Sequence, residues 1–204
     1  MRGEQVPHND VLPIVMIKDP ITWMSSLCRH PYSARWRHYK ICPNLVPNEF
    51  DKGRKPGEGT MGVIVRFATQ HIGDEPLPDK NNKTFVNYDS ILDFWNVWYK
   101  QYLDADFPRL MIRFEDLLFH AEETVSQVCE CGGGTINPKF RYVEDSAKGQ
   151  KGPHAGSAGF MASLVTYGNR TLRMEEILTT KWDVEYFRNH VDKELLDLFS
   201  YEPL

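Results

Sequence analysis

Two short apolar segments, each followed at once by a helix-start signal, constrain this chain more than any other feature. Residues 13–18 are rich in β-branched side chains and end at Asp19 and Pro20, which suit a helix N-terminus because Asp can cap free N–H groups and Pro has none to lose. Residues 109–114 repeat the pattern, and Glu115 opens the next helix. Strand followed by helix, twice and without a hairpin signal, predicts an α/β fold with a mainly parallel sheet flanked by helices. Ligands bind such sheets at the carboxyl ends of the strands.

Hydrophobic periodicity predicts the remaining elements. An apolar stripe at three- and four-residue spacing extends the first helix from Pro20 to Tyr39, with a kink or interruption at Pro31. Pro- and Gly-rich composition predicts loops elsewhere. The other expected elements are a strand at residues 62–67, helices at residues 91–103, 117–131, 160–167, 174–178 and 184–199, and loops at residues 42–62, 73–82 and 147–159.

Length and composition indicate a folded protein. The 204 residues suffice for one domain with an apolar core, and 41% hydrophobic with 25% charged residues argues against disorder. We therefore expect a polar tail at residues 1–12 and one domain at residues 13–204. The formal net charge of −4 argues against nucleic-acid binding through a basic face, so an anion would be bound at a local site.

Four cysteines leave the redox compartment open, since they are too few for a disulfide scaffold. Cys129 and Cys131 lack the spacing and the second ligand pair that zinc sites favour, so no metal is expected. We also expect no membrane segment in this chain, because no apolar run reaches spanning length.

Targeting signals are weak. Residues 1–11 lack the basic and apolar regions of a signal peptide. Two glycosylation sequons, beginning at Asn82 and Asn169, matter only if the chain reaches the secretory lumen.

The sharpest local pattern joins a cation at a strand end to a hydroxyl on the next helix. Lys18 ends the first apolar run, and Ser26 lies eight residues on, about two turns into a helix that starts at Pro20. Both side chains could then reach one phosphate, with Ser25 as a second candidate hydroxyl. The spacing alone leaves open the alternative that Lys18 is a surface lysine and Ser26 a solvated serine, with no ligand between them.

This segment resembles the 3′-phosphate-binding segment of the sulfotransferase superfamily, a strand ending in Arg-Asp-Pro or Arg-Asn-Pro with Ser eight positions after the Arg. Lys18 and Ser26 fall on those two positions, with Lys in place of the planar, bidentate Arg. Residues 113–118 similarly resemble the family's Tyr-Glu-Asp-Leu segment at a strand-to-helix junction. There we expect Glu115 and Asp116 to stabilise the helix start rather than act in acid–base catalysis.

A later loop, residues 148–152, resembles the family's Arg-Lys-Gly-x-x-Gly loop that closes over the 3′-phosphate. Glycines let backbone N–H groups approach a phosphate, and lysines supply charge. Ala147 stands where the family has Arg, so Lys148 or Lys151 would have to replace that contact. The resemblance thus implies a nucleotide site formed by Lys18, Ser25, Ser26, Lys148, Gly149, Lys151 and Gly152.

The resemblance implies a P-loop NTPase-like sulfotransferase fold and 3′-phosphoadenylyl sulfate (PAPS) as sulfuryl donor. The family's Pro-Lys-x-Gly-Thr-Thr-Trp motif, which cradles the 5′-phosphosulfate, has no match. We therefore expect a fragment that lacks the first strand and the phosphosulfate-binding loop, has no assignable catalytic residue and is inactive alone. The implied reaction transfers a sulfuryl group to an acceptor hydroxyl or amine, for example on a carbohydrate.

The sequence leaves an alternative open for both the location and the function of the protein. The family's carbohydrate enzymes suggest the Golgi lumen for a full-length parent, whereas a true start at Met1 would predict the cytoplasm. The alternative function is a non-catalytic nucleotide-binding or interaction module that kept the fold and lost catalysis. A P-loop kinase or NTPase is disfavoured because no Gly-x-x-x-x-Gly-Lys-Ser/Thr motif occurs.

Overall fold

The computed structural model describes residues 11–36, 42–68, 83–142 and 159–204. Their elements, in chain order, are β1 (Ile14–Ile17), α1 (Pro20–Arg29), β2 (Ala34–Trp36), β3 (Val63–Ala68), β4 (Lys83–Tyr88), α2 (Ile91–Leu103), β5 (Leu110–Arg113), α3 (Phe114–Phe119), α4 (Ala121–Cys131), α5 (Phe160–Gly168), α6 (Arg170–Ile177), α7 (Lys181–His190) and α8 (Lys193–Leu198). Strands and helices in these ranges confirm the α/β class.

The chain divides into two compact units. One comprises Met1–Asp19 and Gln101–Asn169, and the other comprises Pro20–Lys100 and Arg170–Leu204. The proposed polar tail at residues 1–12 falls almost entirely outside the described ranges and stays a prediction.

The first unit is built on a parallel pair of strands. β1 pairs with β5 so that Ile14 lies opposite Leu110 and Ile17 opposite Arg113. Ile17 is fully buried, whereas Ile14 and Met16 are 54% and 43% exposed. Each strand is only four residues long, and β5 passes into α3 with no intervening residue, which confirms the predicted strand-to-helix junction.

The helix predicted for residues 117–131 is divided in two at His120. The backbone angles of His120, φ −133° and ψ 45°, are not helical, so α3 ends before this residue and α4 begins after it. The predicted glycine terminator is confirmed, because α4 ends at Cys131. Gly133 follows with φ +72°, a conformation that side chains with a Cβ rarely adopt.

The second unit contains an antiparallel sheet that the sequence did not predict. β3 lies between β2 and β4. Of the three, only β3 was expected, at residues 62–67, so the prediction of a mainly parallel sheet does not describe this larger one. The first helix was also predicted too long: α1 ends at Arg29 and β2 follows. Tyr32, with φ +49°, reverses the chain after Pro31, which disfavours further helix.

Aromatic and aliphatic side chains from α1, α2 and α7 form the core of the second unit. Trp95 and Phe187 have no exposed surface, and the rings of Trp23 and Tyr88 contact that of Phe94 at centroid distances of 5.1 and 4.8 Å. The prediction that the ring-rich helix at residues 91–103 is core material is therefore confirmed.

A disulfide bond joins Cys28, near the end of α1, to Cys42, with a Cα–Cα distance of 5.6 Å. Nothing in the cysteine spacing predicted this pairing. Cys129 and Cys131 are free thiols. Closing a loop of this size stabilises a protein by about 3 kcal/mol in the chain-entropy account.

Residues 43–48 of the loop at residues 42–62 are buried, and a carboxylate from α7 satisfies part of the backbone there. The Leu45 N–H donates to Asp183 Oδ1 at 2.8 Å, and the Thr180 hydroxyl donates to Asp183 Oδ2 at 2.8 Å. Within the loop, the Asn48 N–H donates to Asp51 Oδ2 at 2.9 Å. Buried backbone groups need such partners, so Asp183 fixes the loop to the start of α7.

We predict that Asp183 makes stability fall as pH rises. Burial raises the pKa of Asp183 above its usual 3.8, and nearby Asp51 raises it further, although hydrogen bonds from Thr180, Leu45 and Val46 oppose the rise. The folded state thus holds this proton more tightly than the unfolded state. The stabilising contribution of this proton is complete below the usual value of 3.8 and is lost as pH rises through the raised pKa.

Urea denaturation of wild type and Asp183→Asn across this pH range tests the prediction. The amide variant keeps an acceptor for the Leu45 N–H but cannot titrate, so its stability should fall less with rising pH. Asp183→Ala, which leaves the Leu45 N–H without this acceptor, should lose about 1–3 kcal/mol at low pH, and its difference from wild type should narrow as pH rises. Identical pH profiles for wild type and Asp183→Asn would contradict the assignment.

Candidate functional site

Lys18 is the first residue after β1, at the carboxyl end of the parallel pair. Its Nζ lies 3.9 Å from the ring centroid of Phe114 and 5.0 Å from that of Tyr167. These two rings contact each other edge to face at 5.1 Å. Ring faces attract an ammonium group, so the two rings hold the half-buried Lys18 side chain at the sheet edge where α/β proteins bind ligands.

Glu115 contacts the chain that leaves β1. Its Oε1 accepts the Asp19 N–H at 3.1 Å, and the neighbouring Asp116 Oδ2 lies 3.8 Å from Arg113 Nε. Both carboxylates therefore have structural contacts at the start of α3. Glu115 binds a backbone N–H across the parallel pair rather than one of its own helix, so it fixes the turn that carries Lys18.

Ser25 and Ser26 lie on α1, in the second unit, and both are half-buried. The Ser26 hydroxyl donates to the Thr22 carbonyl, one turn earlier, at 3.0 Å. The Ser25 carbonyl accepts from Arg29 Nε at 3.4 Å. Because a hydroxyl has one proton, Ser26 would have to rotate away from Thr22 to donate to a phosphate.

A buried cation that local sequence patterns did not indicate lies on α6. Arg173 is only 5% exposed, and its Nε donates to Thr22 Oγ1 at 3.1 Å. Thr22 is fully buried and lies one turn before Ser26 on α1. Arg173 therefore fixes the helix that carries both predicted serines. No local pattern could have shown this, because the contact joins residues that lie 151 positions apart in the chain.

The remaining predicted site residues, Lys148, Gly149, Lys151 and Gly152, lie outside the described residues, so their position stays a prediction. Lys18 belongs to the first unit, and Ser25 and Ser26 belong to the second.

Two further properties concern the described ranges only. Within them, no group of three or more His, Cys, Asp or Glu side chains is placed to hold a metal ion. None of the helices found there has the length and apolar character needed to span a membrane.

Comparison of the chain with family models, with curated proteins and with solved structures finds no match. Any function assigned to this protein therefore rests on its residues and their geometry.

We predict that Glu115 is a structural residue whose acceptor oxygen matters more than its charge. Glu115→Ala removes the acceptor of the Asp19 N–H and should lower the free energy of unfolding by about 1–2 kcal/mol. Glu115→Gln keeps an oxygen in place and should lose less than half as much. Urea denaturation measures both variants, with Glu122→Ala, an exposed acid in the first turn of α4, as control. Equal losses in the Ala and Gln variants would contradict this role.

Proposed function

We propose that this protein is a sulfotransferase-like protein that binds the 3′-phosphate end of PAPS and serves sulfuryl transfer to an acceptor hydroxyl or amine. The observation that carries the proposal is the position of Lys18. A cation at the carboxyl end of a parallel strand, two residues before a helix begins, is suited to an anionic ligand. The order of the three family-like segments in the sequence supports the same ligand.

The surroundings of Lys18 support anion binding in physical terms. The ammonium lies over the rings of Phe114 and Tyr167, which shield it partly from water. A charge in such surroundings attracts a phosphate more strongly than a fully hydrated one, because the effective dielectric constant is lower. Lysine makes a point-charge contact here, so orientation of the phosphate would fall to other groups, such as those of the loop at residues 148–152.

Sulfuryl transfer makes limited demands on the protein. The bond between sulfur and the bridging oxygen of PAPS breaks, a bond from the acceptor oxygen or nitrogen to sulfur forms, and the acceptor proton passes to a base. Negative charge develops on the bridging oxygen, so positioning and fixed positive groups provide most of the acceleration. Lys18 is proposed to anchor the nucleotide, and the catalytic base is unassigned.

We predict that Lys18→Ala weakens binding of adenosine 3′,5′-bisphosphate, the nucleotide product, by about 1.5–3 kcal/mol, or roughly 10- to 150-fold in Kd. Lys18→Arg should retain or improve affinity, since Arg adds a bidentate grip. Isothermal titration calorimetry measures both, with Lys52→Ala, an exposed lysine of the second unit, as control. Unchanged affinity in Lys18→Ala would remove the basis of the proposal.

A transfer assay tests whether this chain by itself catalyses sulfuryl transfer. Radiolabelled PAPS is incubated with the chain and with glycan and small-molecule acceptors. Because the sequence lacks the family's phosphosulfate motif, we expect nucleotide binding without turnover from this chain. Clear turnover would mean that an unrecognised segment supplies that cradle and would establish the enzyme directly.

We further propose that the protein works in the Golgi lumen. The Cys28–Cys42 disulfide supports an oxidising compartment, where such bonds persist. The sequon at Asn169 is exposed at the end of α5, as glycosylation requires. The other sequon, at Asn82, lies outside the described residues.

In its native cells the protein should therefore carry an N-linked glycan at Asn169 and a closed Cys28–Cys42 bond. Glycosidase treatment should increase its gel mobility, and Asn169→Gln and Thr171→Ala should each remove the same mass increment. Alkylation before and after reduction reports the disulfide. The proposed location would be wrong if the protein fractionated with the cytosol and if Cys28 and Cys42 were both alkylated without prior reduction.

A further inference from the structure

A concave cavity of about 370 Å³ lies in the second unit, between α7 and the loop that contains residues 57–60. Three ring side chains and three polar ones contribute to its lining: Trp182, Tyr186, His190, Glu185, Asn189 and Thr60. The volume is near the lower end of the roughly 300–1,000 Å³ typical of small-molecule sites.

Helical spacing places these groups together. Trp182, Tyr186 and His190 recur every four residues, and Glu185 and Asn189 form the adjacent row of α7. The cavity thus presents a row of rings beside a row of hydrogen-bonding groups on one rigid helix.

The opposite wall is a glycine-containing loop held close to this helix. Gly57 has φ +76°, and a Cβ there would come within 2.6 Å of Trp182 Cε3, so only glycine allows this contact. Gly59 has φ +81°, and a Cβ there would meet nothing within 4 Å, so open space adjoins it. Asp183 fixes the preceding part of the loop to α7 through Leu45, so the two walls are preorganised.

The rings are already paired, which limits what can enter between them. Tyr186 and His190 stack at 4.0 Å with an interplanar angle of 11°. His190 Nδ1 lies 2.8 Å from the Tyr186 carbonyl, which can only accept, so Nδ1 carries the proton. The Lys181 ammonium lies 4.5 Å from the Trp182 ring centroid. A ligand therefore meets the outer, exposed side of His190 rather than a slot between two parallel rings.

The chemistry of the lining selects the ligand class. Among the described lining residues there is a carboxylate but no lysine or arginine, which disfavours an anion, and Val46 is the one aliphatic side chain, which disfavours a lipid. A saccharide matches both rows, because its C–H face packs on a ring while its hydroxyls bond to a carboxylate and an amide.

We infer that this cavity binds a neutral saccharide of one or two rings, with His190 as the ring contact and Glu185 and Asn189 as hydroxyl partners. The inference goes beyond the proposed nucleotide binding, because none of the cavity residues belongs to the proposed nucleotide site. It holds or fails independently of that proposal.

Calorimetry and ligand-observed NMR with lactose, cellobiose and N,N′-diacetylchitobiose test the inference, and adenosine serves as the rival planar probe. Glu185→Gln keeps the shape but removes the charge and should weaken disaccharide binding about five- to tenfold. Asn189→Trp fills the cavity and should weaken it at least about tenfold. The matched control, Glu175→Gln, changes an exposed acid of α6 outside the cavity and should leave affinity within about twofold.

Binding of one of the disaccharides that both cavity variants weaken supports the inference. It is overturned if none of the three disaccharides binds, if binding is insensitive to both variants, or if only adenosine binds and Asn189→Trp abolishes it. Thermal melting checks folding, and should Asn189→Trp prove unstable, Glu185→Gln decides alone. Lys18→Ala should bind saccharide as wild type does, which separates this result from the test of nucleotide binding.

Discussion

The parallel pairing of β1 with β5 is the constraint on which the proposed nucleotide site depends. Its register sets Ile17 opposite Arg113, so the residues that follow, Lys18 and Phe114, are neighbours at the same carboxyl edge. The hydrogen bond from the Asp19 N–H to Glu115 then fixes the turn after β1. A slip of the register by one residue would move Ile17 out of the core, so burial of that side chain also positions the cation.

The second unit depends on a different interaction, in which a buried carboxylate holds a polar loop against a helix. Asp183 bonds to the Leu45 N–H, and the Cys28–Cys42 disulfide ties α1 to the start of the same loop. Together they hold the wall that faces α7, and the cavity there exists because Gly57 lets that wall approach Trp182.

The two proposed sites differ in the physics of recognition. Lys18 presents a charge partly shielded by rings, which favours an anion, whereas the α7 cavity presents a carboxylate, an amide and rings, which favours a neutral polyhydroxyl ligand. A sulfotransferase acting on carbohydrate would need one site of each kind. Each can be tested alone, so failure of one proposal leaves the other standing.

The sequence by itself determined the elements whose signals are local. The strand before Lys18, the helix at Ile91–Leu103, the junction at Phe114 and the end of α4 at the glycines follow from periodicity, caps and breakers within a few residues. Only the tertiary structure decided the antiparallel sheet, the Cys28–Cys42 bond, the burial of Arg173 against Thr22 and the cavity beside Trp182. These features join segments that are distant in the chain or, like β2 after Pro31, replace a local preference with pairing to another strand. Local patterns carry no information about such partners.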